Sequence, residues 1–401
     1  MRAEAVVVGA GPAGLIAARE LARMSIEVTV YEEHSVIGEP NHCAGILSVE
    51  GLQKLGVRPN MDFIQHEVAG GIAFSPDGTD ISIKGKRTRA YVVDRGVFDR
   101  NLAEDAMDRG AEIETGQIVS GLLRQGERVT GVRGRTFSTR SDVVIDAEGA
   151  AGFLAKSVEL PRPSEGVLSG INVEVSGVTT EPGMVEVWLG RDLAPGMFAW
   201  VAPTGESTVR GGLACGEGDS YSRLKGFLRE RFREYEVGEP RSWPVLTGGP
   251  VERTYGDGIL LVGDAAGQTK PTTGGGVIVG GLCAVEAARA VKGAYDTGNF
   301  SADSLARYEK AWKAELGDEF SSMLAIRRFL NGIPDDRMDR LFASTKRSSL
   351  EPVLEELVEK GDMDMQSGVV RAALTNPSLM RVLVSTLGRM AYGELRGLFN
   401  F

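Results

Sequence analysis

Cysteine is scarce: the 401 residues hold only Cys43, Cys215 and Cys283. Three thiols so far apart cannot supply a four-cysteine iron–sulfur cluster, and they show no zinc-ligand spacing. A sparse, odd count fits a reducing compartment, so a cytoplasmic protein is expected. The start of the chain, MRAEAVVVGAG, runs straight into a strand with no secretory pattern. No stretch of about 18 apolar residues occurs, which leaves no candidate transmembrane helix. Basic residues are in deficit: 45 Lys and Arg against 55 Asp and Glu give a formal net charge of −10. That removes the basic footprint nucleic acid needs. It also argues against electrostatic docking on anionic lipid, though not against peripheral apolar contact with a membrane.

Glycine, by contrast, is abundant. Fifty-three glycines in 401 residues are about 13%, against a usual share of roughly 7%. They cluster in short motifs, as expected where backbone approaches a ligand closely. Residues 4–31 read as a βαβ unit, with AVVVG as a buried parallel strand, LIAARELARM as a helix and EVTVYEE as the second strand. Gly9, Gly11 and Gly14 form G-x-G-x-x-G, with Ala13 inside it, in the strand–turn–helix setting the motif requires. Gly9 makes the tight turn, Gly11 leaves room for a pyrophosphate, and Gly14 lets the helix pack close to the strand. The helix N-terminus then offers free N–H groups to the phosphates. Glu32, with Glu33 beside it, ends the second strand where an acid can bond both ribose hydroxyls.

A second glycine-rich segment follows Asp257: DGILLVGDAAGQTKPTTGGGVIVGGLCAVEAARAV. It reads as strand, turn, loop and long helix. The Asp264 carboxylate can hold a ribityl hydroxyl, and Gly274, Gly275, Gly276 and Val277 open the helix near a flavin ring or phosphate. Taken together, G-x-G-x-x-G, the late GDAAG and the Pro-x-x-Gly-x-Gly loop resemble the FAD-binding fold of p-hydroxybenzoate-hydroxylase-type flavoproteins. The resemblance implies FAD as cofactor. It makes YVVDRGVFDRNLAEDAMDRGAEI the helix from which Arg95 approaches FAD, with Arg100 further along it. It also makes DVVIDAEGAAG the strand that ends at Gly149, with Glu148 where the family usually has aspartate. Lys270, ahead of the glycine loop, can offset negative charge on the flavin. No second G-x-G-x-x-G follows a strand. Electrons therefore come from a docking donor: NADPH, a deazaflavin or a ferredoxin-like carrier.

The expected fold is α/β: an FAD-binding Rossmann-like domain, a β-rich antiparallel substrate domain and a C-terminal helical region. The FAD domain is discontinuous, at 1–70, 88–160 and 250–300. The substrate domain takes 71–87, whose Pro-Asp-Gly turn marks a hairpin, and 161–249, which carries several strand patterns. Residues 301–401 read as helical throughout. Their last stretch, LMRVLVSTLGRMAYGELRGLFNF, has apolar residues at helical spacing, a pattern that core packing and a membrane-surface helix both explain.

The segment LAPGMFAWVAPTGESTVRGGL narrows the family. It resembles the Pro-Gly-x-Tyr-x-Trp-x-Phe-Pro strand of the geranylgeranyl reductases, which saturate isoprenoid double bonds in archaeal lipids and in chlorophyll synthesis. Pro195, Gly196, Phe198, Trp200 and Pro203 match in place or type, with Phe198 where tyrosine is usual and Ala202 where phenylalanine is. Two apart on a strand, Phe198 and Trp200 share a face, and an aromatic groove suits a chain with nothing to hydrogen-bond. The same resemblance lays the loop Cys43-Ala44-Gly45 against flavin and substrate. It implies FAD-dependent reduction of geranylgeranyl double bonds in archaeal membrane ether lipid biosynthesis. Hydride comes from reduced flavin and a proton from elsewhere, and Cys43, Trp200 and Phe198 are the catalytic candidates. A thiol's ordinary pKa of about 8.5 keeps it mostly protonated at neutral pH. Whether Cys43 donates that proton, positions the alkene or tunes the flavin stays open, as does a purely packing role. His42 is not paired with it, because neighbours on extended backbone point apart. Cys215 and Cys283 read as core. Two other functions fit the scaffold less well. An aromatic hydroxylase would leave the cysteine loop unexplained, and a quinone-reducing electron carrier would want the missing iron–sulfur cysteines.

Overall fold

The computed structural model describes residues 2–389, 392, 393 and 397. The part of the C-terminal apolar stretch that falls on the other residues lies outside the described residues. The chain divides into two units, one built from 1–41, 95–166 and 246–320, the other from 42–94, 167–245 and 321–401.

Six strands form the sheet of the first unit, in the order Tyr255–Gly256, Ile259–Leu261, Val143–Asp146, Ala5–Val8, Val28–Tyr31, Glu112–Glu114. All neighbours are parallel except the first pair. Ala5–Val8 and Val28–Tyr31 are buried at every position, as central strands of a parallel sheet are, and Ala5–Val8 accordingly reads as an unbroken apolar run rather than an alternating one. Helix Pro12–Arg23 starts with proline in its first turn, where the missing N–H costs nothing. A small antiparallel sheet, Val119–Gln125, Arg128–Gly134 and Ser138–Arg140, adds Val129 and Val132 to a core shared with Val6, Val144, Leu154 and Leu261.

In the second unit the large sheet runs Glu236–Val237, Val167–Ser176, Thr208–Cys215, Ala199–Pro203, Met184–Trp188, Gly70–Phe74, Asp80–Lys84, with Arg241–Leu246 also on Val167–Ser176. The expected hairpin is there. Gly70–Phe74 and Asp80–Lys84 pair antiparallel, and the Asp77 carboxylate closes the turn by accepting from Ser75 Oγ at 2.7 Å and Thr79 N at 2.9 Å. One pairing departs from the all-antiparallel expectation: Met184–Trp188 lies parallel to Gly70–Phe74. Their long intervening chain permits this, since only a tight hairpin imposes antiparallel order. One sheet face packs Ile171, Val173, Val201, Val209 and Leu213 against Leu224, Phe227 and Leu228 of helix Ser220–Arg231.

The unit boundaries differ from those read in the sequence. Residues 42–70 and 88–94 group with the second unit, where Ile46–Ser48 and Ile64–Val68 flank Ala90–Val93 in a three-stranded antiparallel sheet. Residues 321–401 also group there, rather than standing apart. The segment 361–364 is tied down by Lys54 Nζ on Asp362 at 2.6 Å, and by Ser48 Oγ donating to Asp364.

Candidate functional site

The first unit gathers the glycine motif and the late glycine loop. Gly9 has φ +98, and a Cβ on it would lie 2.4 Å from the Ala147 carbonyl oxygen. A Cβ at Gly14 would lie 2.0 Å from the Gly9 oxygen. Protein packing alone thus demands both glycines. Gly11 is different: a Cβ there would meet no atom within 4 Å. It caps the helix Pro12–Arg23 in extended backbone, φ −75 and ψ 173, which other residues adopt freely. Its lack of a side chain keeps open a space at a helix N-terminus that nothing in the protein fills. This is the cradle a dinucleotide pyrophosphate requires.

The surrounding residues fit the same cofactor. Glu32 is buried; its Oε2 accepts from Ala10 N at 2.7 Å and its Oε1 from His34 N at 2.9 Å, which ties the strand-end acid to the glycine turn. Glu33 beside it is exposed. Ala13 packs on the other glycine segment, since a Cβ at Gly263 would come 2.7 Å from its own. Asp264 sits in the short turn Gly263–Ala266, and a Cβ at Gly276 would lie 2.8 Å from its Oδ1. Burial pushes the Asp264 carboxyl up, and the Arg95 charge pulls it partly back. Gly274 takes φ +71, and Gly276 precedes helix Val277–Thr297. Arg95 pairs with Asp99 through two bonds of 3.0 Å. Arg100 donates to the Ile37 carbonyl at 3.2 Å and so holds the segment leading toward the cysteine loop. Gly149 has φ +77, with open space where a side chain would be.

Sequence reasoning marked this strand end but assigned the acid pair ahead of that glycine no role. Asp146 is fully buried at the end of its strand; its Oδ1 accepts from Glu148 N at 3.1 Å, and its Oδ2 has no partner. Burial, then the Glu148 charge, push its carboxyl up to about 8. Glu148 is also raised, mainly by burial. The visible signal was an acid ending an otherwise apolar strand.

The second unit holds the cysteine loop and the aromatic strand. Phe198 lies one residue ahead of the strand Ala199–Pro203 rather than on it, but its ring still meets that of Trp200, 6.3 Å apart and edge-on. Trp200 is buried with Leu168, Ala214 and Val245, and Ala44, Met197, Phe198 and Trp243 pack around them. The Trp200 Nε1 donor is buried without a hydrogen-bond partner. Gly212 is the floor under this indole, because a Cβ there would meet Trp200 Cζ2 at 2.4 Å. His42 lies 5.6 Å from the Trp243 ring. Cys43 is half-buried, and Gly45 N donates to its Sγ at 3.4 Å. Gly45 has φ +77, and a Cβ on it would lie 2.5 Å from Arg210 Nη1. Cys215 and Cys283 are buried, as expected. Arg210, Asn172 and Trp243, which the sequence did not single out, all border this loop or cluster.

Residues 2–311 match the model of the FAD binding domain family. The chain is 31% identical to digeranylgeranylglycerophospholipid reductase 2 of Methanothermobacter thermautotrophicus, covering 96% of this chain and 99% of that protein. It is 30% identical to digeranylgeranylglycerophospholipid reductase of Methanocaldococcus jannaschii, covering 94% and 96%. It therefore belongs to the FAD binding domain family and, within it, to the family of these reductases. Among solved structures, a geranylgeranyl bacteriochlorophyll reductase-like protein from Thermoplasma acidophilum superposes with a TM-score of 0.83 at 22% identity, covering 99% of both chains. The flavin-dependent brominase Bmp2 superposes with a TM-score of 0.70 at 19% identity, covering 88% of this chain and 94% of its own. Both likenesses speak for the fold. The cofactor is FAD, and the enzyme is an FAD-dependent oxidoreductase.

Proposed function

We propose that this enzyme saturates the carbon–carbon double bonds of geranylgeranyl chains carried on an archaeal-type ether glycerophospholipid. Bound FAD, once reduced, supplies the hydride. The chain's own residues do the rest. Gly11 and the N-terminus of Pro12–Arg23 receive the pyrophosphate, Glu32 the ribose and Asp264 the ribityl chain; Arg95, Gly149 and Gly274 to Val277 complete the cofactor's surroundings. Half-buried Phe198, backed by the buried Trp200 indole, presents an apolar, aromatic surface to the isoprenoid. Such a substrate has no carbonyl to delocalise charge, so the carbon that does not take hydride must be given a proton. Cys43 donates it from its thiol and regains it from solvent.

The observation that carries this reading is the apolar cluster in which Ala44, next to the only half-buried thiol among the described residues, packs with Phe198, Trp200 and Trp243. The relatives named as digeranylgeranylglycerophospholipid reductases supply the substrate class. No helix among the described residues is long and apolar enough to cross a membrane; we infer peripheral contact with the bilayer from the lipid nature of the substrate.

The test uses holoenzyme reduced anaerobically with dithionite and mixed with digeranylgeranylglycerophospholipid in detergent. The expected result is a mass gain of one H2 per saturated bond. Fully occupied, fully reduced flavin beside unchanged lipid would refute the proposal, and oxygen-coupled hydroxylation of an aromatic compound would put a hydroxylase in its place. Replacing dithionite in turn by NADPH, a reduced deazaflavin or reduced ferredoxin identifies the donor.

A further inference from the structure

We propose that Arg210, assisted by Asn172, is the positioning residue for the Cys43 thiol; this rests on the role given to Cys43 above. Three carbonyls of the loop around that thiol are each held by a donor. Asn172 Nδ2 donates to His42 O at 3.2 Å, Arg210 Nη1 to Ala44 O at 3.1 Å, and Val93 N to Gly45 O at 2.8 Å. The sulfur itself receives Gly45 N–H at 3.4 Å. Arg210 reaches further: Nη1 also donates to Val93 O at 3.2 Å, Nη2 to Gln65 Oε1 at 3.0 Å, and Nε to Glu174 Oε1 at 2.5 Å. One guanidinium thus joins the loop and two strands of the small sheet to its own strand, Thr208–Cys215.

Sheet register explains why these polar groups meet the loop. Glu174 faces Arg210 and Asn172 faces Gly212 across the antiparallel pair. Alternation puts Val173, Val175, Val209 and Leu213 on the helix-packed face, and Asn172, Glu174, Arg210 and Gly212 on the other. That other face carries Trp200. Arg210 is 4% exposed, but the side chain of its ionic partner Glu174 is half exposed, so the ion pair itself contributes little to stability. Its bonds instead fix backbone on both sides of Cys43. They also account for Gly45, whose side chain would occupy the space of Nη1.

The test compares wild type with Arg210→Lys, which keeps the charge but loses the planar fork needed for several simultaneous bonds. Cys215 and Cys283 are buried, so alkylation of folded holoenzyme by iodoacetamide reads Cys43. With FAD bound and the fold intact, R210K is expected to change the alkylation rate at least about threefold. It should also lower kcat roughly 10- to 100-fold, as a displaced reacting group does, with little change in KM. In a Cys43→Ala background R210K should lower kcat no further, because coupled residues are non-additive. A wild-type alkylation rate, with an equal loss of kcat in both backgrounds, would overturn the proposal. Full activity of C43A would instead remove the role of Cys43, and alkylation of R210K would still decide whether Arg210 sets the loop. Where R210K fails to fold, Asn172→Ala carries the test: it removes only the His42 bond and should move both readouts in the same direction by less.

Discussion

Gly11 and Gly14 stand three residues apart in one motif, yet the structure assigns them opposite sensitivities. At Gly14 a Cβ would lie 2.0 Å from the Gly9 carbonyl oxygen and 3.3 Å from the Ala147 Cβ. Gly14→Ala therefore overpacks a rigid turn, at a cost of about 1–3 kcal/mol or more in the absence of any ligand. At Gly11 a Cβ meets nothing within 4 Å, and the backbone is extended. Gly11→Ala should leave the apoprotein within about 1 kcal/mol of wild type, the scale of a helix-cap exchange. The methyl would instead occupy the space for the pyrophosphate, and overpacking of about 1–3 kcal/mol becomes about 5- to 150-fold weaker FAD binding. Thermal unfolding with and without FAD separates the two effects. At a free FAD concentration 100 times the wild-type Kd, binding stabilises by about 2.7 kcal/mol, and G11A should lose about 0.9–2.4 kcal/mol of that increment. G14A should unfold early in both conditions. Wild-type FAD affinity in G11A, or an apoprotein as weakened as G14A, would refute the assignment of that space to the cofactor.

Two further outcomes follow from burial and packing. Asp146 rises from 3.8 to about 8 on folding, so the native state keeps a proton that the unfolded chain releases. Its contribution is complete below about pH 4 and is lost as pH rises through about 8; Asp146→Asn should flatten the fall in denaturant midpoint between about pH 5 and 8, and parallel curves for both proteins would contradict it. A Cβ at Gly212 would press within 2.4 Å of the Trp200 indole and 2.7 Å of the Ile171 carbonyl; Gly212→Ala should cost about 1–3 kcal/mol, shift tryptophan fluorescence and slow lipid reduction with flavin still bound, and unchanged fluorescence and turnover would count against the packing seen here.

The parts of this enzyme that show in its sequence are those whose physics is local. Gly14 is needed by a contact with Gly9 five residues away, and Gly9 by its own positive φ; Phe198, one residue ahead of the strand Ala199–Pro203, meets Trp200 two residues on. Unit boundaries depend instead on pairing between distant segments. Nothing in residues 46–48, 64–68 or 90–93 announces that they pair with one another in a separate small sheet, so the sequence alone leaves all three with the N-terminal βαβ unit, whereas they group with the second unit. The parallel pairing of Met184–Trp188 with Gly70–Phe74 is hidden for the same reason.

Buried polar residues are the hardest to read, because alternation predicts apolar residues on a covered face. Arg210 and Asn172 break that rule on a strand pair whose opposite face obeys it. Buried arginine and asparagine donors need acceptors, and here backbone carbonyls supply three of them, with Gln65 and Glu174 side chains taking the others. The loop His42–Gly45 and the end of Ala90–Val93 are that backbone. The anomaly in the alternation therefore marks where an irregular loop has been folded onto a regular sheet, and the thiol lies in the middle of that loop.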